Sequence, residues 1–374
     1  MIRVGLLTSS RADYGIYLPL MKALKADKEI DLKIIVFGTH LSKFHGYTLN
    51  QILADGFVPF GSVESMLIGD TPNAISTSYA LTALKFSDFW KENQKEFDIV
   101  FSLGDRFEMA AAVAASLPFQ LKIAHIHGGE TTLGAIDNIY RHSISLSSYF
   151  HFVSADPFKS RLIQLLGLED PRIFNVGSLS LENLANMPLL SVWEFKDKWD
   201  IDLNQDTLLV TIHPETVAFE FNDRYCNEVA IALESLAHHF QIVITMPNAD
   251  TSGMIFRNAF EKLVEKNKNI KAIENFGTQS YFTCMKYSKL IIGNSSSGIV
   301  EAATFNKYVL NIGDRQKGRL SGENVIQLPF ESVKIIEQAK YYSKIEYQGS
   351  NIYFQPNPSE KIIGVLKDQY ANFS

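Results

Sequence analysis

Along the whole chain, short and nearly continuous apolar runs alternate with amphipathic segments of helical length. In the first half the runs are IRVGLLT (2–8), IDLKIIVFG (30–38), DIVFSLG (98–104), LKIAHIHG (121–128) and FHFVSA (150–155). In the second half they are DTLLVTIHP (206–214), QIVITMP (241–247), IKAIEN (270–275), SKLIIGN (288–294) and KYVLNIG (307–313). The stretches between them, such as YLPLMKALKAD, RFEMAAAVAASL and CNEVAIALESLAHHF, carry helical periodicity. Strands that are apolar on both faces belong to parallel sheets covered by helices on either side. Two such series predict an α/β fold of two doubly wound, Rossmann-like domains. The alternation breaks over 176–205, which sets the expected domains at 1–180 and 181–355. Residues 356–374 read as a C-terminal helix, capped by Ser359, that packs back on the first domain.

Composition narrows the class. With 374 residues, 46% of them hydrophobic, the chain has material for two cores. A net charge of −6 argues against nonspecific nucleic-acid binding. Two distant cysteines, Cys226 and Cys284, suit a reducing compartment and exclude a disulfide framework or a Cys-rich zinc site. No apolar run approaches the roughly 18 residues of a membrane span, and the N-terminus turns polar too early for a signal peptide. The expectation is a soluble cytoplasmic protein.

In open α/β sheets, ligands bind beyond the carboxyl ends of the strands, so chemistry is sought there. GNSSSGIVEA (293–302) puts Ser295 and Ser296 between a strand and a helix, where free N–H groups and hydroxyls attract anions. Gly298 permits close backbone approach, and Glu301 is placed to accept a ribose hydroxyl. Serine is also a favoured helix cap without any ligand. LLTSSRADYG (6–15) repeats the arrangement with Arg11, whose planar fork suits phosphate oxygens, and with Asp13 as a cap. NIGDRQKGRL (311–320) clusters Arg315, Lys317 and Arg319 after a strand, and TIHPET (211–216) places His213 after another. A solvated basic turn and a structural histidine are the plain alternatives. Four such junctions in two domains predict one diphosphate held in an interdomain cleft.

The first domain carries the acid–base candidates. SLGDRFEMAA puts Asp105 and Arg106 at a strand end. AHIHGGETTLGAID places His125 and His127 two apart, hence on one strand face, followed by Glu130 and Asp137, with Arg141 and His142 one helical turn on. Against a catalytic role, Asp105 reads equally as a helix cap, and Asp137 with Arg141 as an i,i+4 ion pair. His-x-His beside carboxylates is a loose zinc pattern with no further ligand signature behind it, so neither metal nor cofactor is expected.

Taken together and in order, SSRADYG, GTHLS, LGDRFEMAAA, AHIHGGETT, GAID, RHSIS, PNADTSG, NSSSGIVEA and NIGDRQKGRL resemble the hydrolysing UDP-N-acetylglucosamine 2-epimerase family of sialic-acid synthesis, over nearly the whole chain. The resemblance implies a fold of the GT-B glycosyltransferase type, a homodimer or tetramer, and conversion of UDP-N-acetylglucosamine to UDP and N-acetylmannosamine. It implies UDP contacts at Arg11, Arg106, His213, Asn248, Ser295, Ser296, Glu301 and Arg315. The catalytic candidates it implies are Asp105, His127, Glu130, Asp137, Arg141 and His213. Two departures stand out. His127 occupies a position where many relatives carry a glutamate, which leaves His127 and Glu130 as alternative carriers of that role, and Leu133 stands where relatives often have glutamate. A GDP- or UDP-linked diacetamido sugar, as in legionaminic-type pathways, is the neighbouring alternative substrate. An inverting glycosyltransferase of the same architecture would need one base and an acceptor groove. A noncatalytic nucleotide-sugar sensor would need none of the acid–base groups.

Overall fold

The computed structural model describes residues 1–69, 71–133, 136–167, 171–215, 219–247, 253–274 and 276–372. The chain divides into two compact units, Met1–Glu130 with Ile136–Asn183 and Tyr353–Ser374, and Leu184–Ile352 with Thr131–Ala135.

In the first unit the strands are β1 (Ile2–Thr8), β2 (Ile30–Phe37), β3 (Pro59–Val63), β4 (Ile99–Leu103), β5 (Ile123–Ile126), β6 (Phe150–Val153) and β7 (Ile173–Asn175). They form one sheet in the order β3-β2-β1-β4-β5-β6-β7, every pairing parallel. Alternate side chains enter opposite layers, as the two-residue strand period requires. Val4, Leu6, Ile34, Val36, Ile99 and Phe101 join one apolar cluster, while Leu7, Ile35, Phe37 and Val100 join another. The first cluster also takes Tyr14, Tyr17, Leu20 and Leu24 from the helix Arg11–Ala26, and Ile362 and Leu366 from the helix Pro358–Gln369. Ser359 does not cap that last helix. Asn357 is the cap residue, at φ 50°, and Ser359 lies in the first turn, where its N–H and hydroxyl both donate to Glu182 Oε2 at 3.0 and 2.6 Å.

The second unit holds β8 (Thr207–Thr211), β9 (Gln241–Thr245), β10 (Ile270–Ile273), β11 (Leu290–Gly293), β12 (Val309–Ile312) and β13 (Val325–Leu328), in the parallel order β10-β9-β8-β11-β12-β13. Its core unites Leu208, Val210, Ile242, Ile244, Leu290, Ile292, Leu310 and Ile312 with Phe256, Phe260 and Ile335 from the covering helices.

The apolar runs account for five strands in each half, and the sheets add β3, β7 and β13. All three are edge strands. β3 begins with Pro59, which an edge tolerates because one side makes no ladder hydrogen bonds. β7 has only three residues, and in β13 only Leu328 is buried, so neither shows as a buried apolar run.

Both sheets change direction once, between β1 and β4 and between β8 and β11. Loops leaving the two central strands diverge there and open a crevice at the carboxyl edge. The segments after β1, β4, β8 and β11 are those around Arg11, Asp105, His213 and Ser295. Gly293 closes β11 with φ 152°, and a Cβ there would lie 1.9 Å from the Thr211 carbonyl oxygen. Only glycine lets the two strand ends approach this closely.

Candidate active site

In the first unit, the β1 turn is locked from inside. Asp13 is buried and forms a capping box with Ser10 at the start of the helix Arg11–Ala26. Its carboxylate also accepts from Thr8 Oγ1 at 2.6 Å and from Ser9 N–H and Oγ at 2.9 and 2.8 Å. His40, fully buried, reaches Thr8 Oγ1 at 2.9 Å through Nε2 and Thr48 Oγ1 at 2.7 Å through Nδ1. Hydrogen bonds from His40 and Thr8 lower the Asp13 pKa despite its burial, which opposes them as the largest influence. Asp13 therefore does more than cap, and Arg11 beside it remains exposed.

After β4, the helix Phe107–Ser116 is preceded by Arg106 with no side-chain cap, so Asp105 is not its cap. Asp105 instead accepts from Arg141 Nη2, while Arg141 Nη1 donates to the Glu130 carbonyl at 3.1 Å. Arg141 is 2% exposed. Arg106 Nε donates to Glu108 Oε1 at 2.6 Å, and Glu108 is fully buried. Asp137 opens the helix Asp137–Leu146; burial, and next the neighbouring Asp105 charge, push its carboxyl above the usual aspartate range.

The two histidines of the His-x-His motif separate. β5 ends at Ile126, and His127 takes a left-handed backbone with φ 65°, so the shared strand face is lost. His125 is a core group. Its Nε2 lies 2.8 Å from the Gly104 carbonyl, which can only accept, so the proton sits on Nε2 and Nδ1 accepts from Ser145 Oγ at 3.0 Å. Burial pushes this imidazole down to about 3. His125 thus holds the residue preceding Asp105 and has no proton to exchange near neutral pH.

His127 is built differently. Its Nδ1 lies 3.0 Å from Glu130 Oε1, and Ser154 Oγ donates to the same oxygen at 2.8 Å. A carboxylate accepts, so His127 carries its proton on Nδ1. Nε2 is then a lone-pair atom in neutral imidazole, and it is buried with no hydrogen-bond partner among the described residues. A non-glycine residue in the left-handed region at such a place fits a functional constraint. The arrangement is an imidazole whose tautomer a carboxylate sets.

In the second unit, the segments after β8, β11 and β12 are tied together. His213 N–H donates to Asn294 Oδ1 at 2.8 Å, and Asn294 Nδ2 returns to the His213 carbonyl at 2.9 Å. Gln316 Nε2 donates to the Asn294 carbonyl at 2.9 Å. Glu215 Oε1 accepts the N–H groups of Asp314 and Arg315 at 2.9 and 3.0 Å, and Arg315 Nη1 donates to the Pro214 carbonyl at 3.0 Å. His213, Ser295 and Arg315 are brought together in this way. Ser295 is the N-cap of the short helix Ser296–Val300, Ser296 is exposed, and Glu301 ends that helix, buried. Lys317 stays solvated beside Asp314 at 3.4 Å. Asn248 lies outside the described residues. Glu215, Asn294, Gln316 and Ser154 went unassigned in the sequence. The first three sit inside motifs already marked by their neighbours, whereas nothing near Ser154 signals its part.

The family model for UDP-N-acetylglucosamine 2-epimerase matches residues 22–367. The chain belongs to that family. Among relatives of this epimerase family, the GDP/UDP-N,N'-diacetylbacillosamine 2-epimerase (hydrolyzing) of Campylobacter jejuni is 34% identical, covering 92% of this chain and 87% of its own. The UDP-N,N'-diacetylbacillosamine 2-epimerase (hydrolyzing) of Legionella pneumophila is 32% identical over 96% of this chain and 94% of its own. The polysialic acid biosynthesis protein P7 of Escherichia coli is 32% identical over 98% and 94%. In fold, the chain is similar to the Neisseria meningitidis UDP-GlcNAc 2-epimerase bound to UDP-GlcNAc, with a TM-score of 0.80 at 19% identity, covering 98% of this chain and 99% of that one. Among the described residues no helix is long and apolar enough to cross a membrane.

Proposed function

We propose that the protein is a hydrolysing 2-epimerase of a nucleotide-linked diacetamido sugar, UDP- or GDP-N,N'-diacetylbacillosamine, releasing the nucleoside diphosphate and the free sugar inverted at C2. The sugar assignment rests on the two relatives of that activity, at 34% and 32% identity over more than nine-tenths of this chain. It displaces the expectation of UDP-N-acetylglucosamine and N-acetylmannosamine as the main reading.

The reaction assignment rests on the His127–Glu130 dyad next to the Asp105–Arg141 pair and Asp137. The C2 hydrogen of an acetamido sugar has no adjacent carbonyl to acidify it, so the nucleotide leaves first. The C1–O bond breaks, and its electron pair departs with the diphosphate. Ser295, Arg315, His213 and Arg11 stabilise that developing charge, with Ser296, Glu301, Arg106 and Asn248 as further nucleotide contacts. Asp105 and Asp137 face the cationic sugar. A base takes the C2 proton, leaving a glycal, and an acid then protonates C2 from the opposite face while water adds at C1 and loses a proton. Asp137, its carboxyl raised by burial, and His127 Nε2 are the two proton carriers, one for each face. Glu130 sets the His127 tautomer, and Arg141 holds Asp105.

Proton NMR in heavy water, with UDP-N,N'-diacetylbacillosamine, its GDP counterpart and UDP-N-acetylglucosamine as parallel substrates, tests both parts. The expected products are the diphosphate and a C2-deuterated, C2-inverted sugar, with the highest kcat/KM on a diacetamido substrate. Product that keeps its C2 hydrogen overturns the mechanism. Preference for UDP-N-acetylglucosamine overturns the sugar assignment.

A further inference from the structure

Behind the serine turn of the second unit runs a file of five hydroxyls. Thr245 Oγ1 lies 2.8 Å from Thr211 Oγ1, Thr211 Oγ1 lies 3.4 Å from the Tyr281 hydroxyl, the Tyr281 hydroxyl lies 2.7 Å from Ser297 Oγ, and Ser297 Oγ lies 3.0 Å from Ser295 Oγ. Tyr281 comes from the helix Gly277–Tyr287, outside every motif that marks the site in the sequence.

Each hydroxyl has one proton to give, so the file has two polarities. Pointed inward, Ser295 gives to Ser297, Ser297 to Tyr281, and onward to Thr245, which ends on the Val210 carbonyl at 3.4 Å. Pointed outward, Tyr281 gives to Ser297 and Ser297 to Ser295, and the Ser295 proton is left to face a ligand. Only the outward polarity offers a donor to an anion. A phenol is a better donor than an aliphatic alcohol, and the shortest link in the file is the one between Tyr281 and Ser297. Burial raises the Tyr281 pKa, so the phenol keeps its proton through the neutral range.

We infer that Tyr281 is a positioning residue for the nucleotide diphosphate, acting through Ser297 to turn the Ser295 hydroxyl outward as a donor. The inference rests on the reading that the diphosphate is held at this turn. Thr211 stands behind Tyr281 in either polarity, accepting from the phenol when the file points inward and donating to it when the file points outward.

Calorimetric titration of the full chain with UDP and with uridine separates the roles. Tyr281→Phe is expected to weaken UDP about three- to tenfold, the worth of one ordinary hydrogen bond, and to leave uridine unchanged. Ser297→Ala, which removes the relay itself, is expected to weaken UDP by a similar factor and to leave uridine unchanged. Equal weakening of UDP and uridine by Tyr281→Phe marks a merely structural tyrosine and overturns the inference, as does an unchanged UDP affinity. Unchanged UDP binding by Ser297→Ala overturns it as well, and that variant carries the test if Tyr281→Phe fails to fold. If the native protein binds GDP in place of UDP, the same comparison is made with GDP and guanosine; failure to bind either diphosphate overturns the nucleotide reading itself, and the inference with it.

Discussion

Replacing Glu130 by glutamine keeps the side-chain volume and removes its charge. Glu130 is 4% exposed, and its Oε1 takes hydrogen bonds from His127 Nδ1 at 3.0 Å and Ser154 Oγ at 2.8 Å. A hydrogen bond to a buried charged group contributes about 1.5–3 kcal/mol, so the two together amount to about 3–6 kcal/mol, or roughly 10²–10⁴ in rate if they are made in full only at the transition state. The amide adds a second fault, because its NH₂ can face Nδ1 and favour the tautomer that protonates Nε2. Steady-state release of the diphosphate, with deuterium incorporation at C2 as a parallel readout, is therefore expected to fall about 10²- to 10⁴-fold. UDP affinity should stay within about twofold, because Glu130 belongs to the unit that does not carry the serine turn. A folded Glu130→Gln protein with kcat within about threefold of the native value would refute the dyad. Parallel loss of UDP affinity and turnover would make the effect structural.

Asp137→Asn should lower kcat by roughly 10²–10⁴. In the native protein, activity should fall as pH drops through the Asp137 pKa, at a point above the ordinary aspartate value of 3.8, because burial disfavours its charged form; an identical acid limb in a partially active Asp137→Asn variant would count against Asp137 as the base. His125 titrates near 3 when folded and near 6.5 when unfolded, so between those values the unfolded chain binds the extra proton and stability falls as pH falls. Denaturant unfolding should show His125→Asn losing up to about 1.4 kcal/mol per pH unit of that dependence below 6.5, and an unchanged slope would contradict the buried neutral imidazole. Glu215→Ala strips the acceptor from two backbone N–H groups of the Arg315 turn, at about 1–3 kcal/mol each, and calorimetry should find UDP affinity reduced roughly tenfold or more.

Nearly all the strands that proved readable in the sequence are interior ones, with the edge strand β10 the exception. β4, β8 and β11 are buried throughout, and β1 and β2 over most of their length, so their runs are predominantly apolar and stand out against helical periodicity. β3, β7 and β13 sit at sheet edges, where one side needs no pairing and few apolar residues suffice, and they left little trace. The site was legible to a similar degree. Residues immediately after central strands could be marked, because the carboxyl edge of such a sheet is where ligands gather. Their division of labour was not legible. His125 and His127 look alike at a spacing of two, and only the end of β5 at Ile126 with the left-handed turn at His127 ties one to the Gly104 carbonyl in the core and pairs the other with Glu130.

Apolar periodicity by itself determined that this chain builds two parallel α/β sheets, because burying a strand on both faces leaves no other composition open to it. Tertiary structure alone decided the partners. Glu130 meets Ser154 from 24 residues further along, Ser297 meets Tyr281 from 16 before it, and Arg315 meets Glu215 from 100 before it. A hydrogen bond acts over about 3 Å of space whatever the distance along the chain, so only folding determines which donor meets which acceptor.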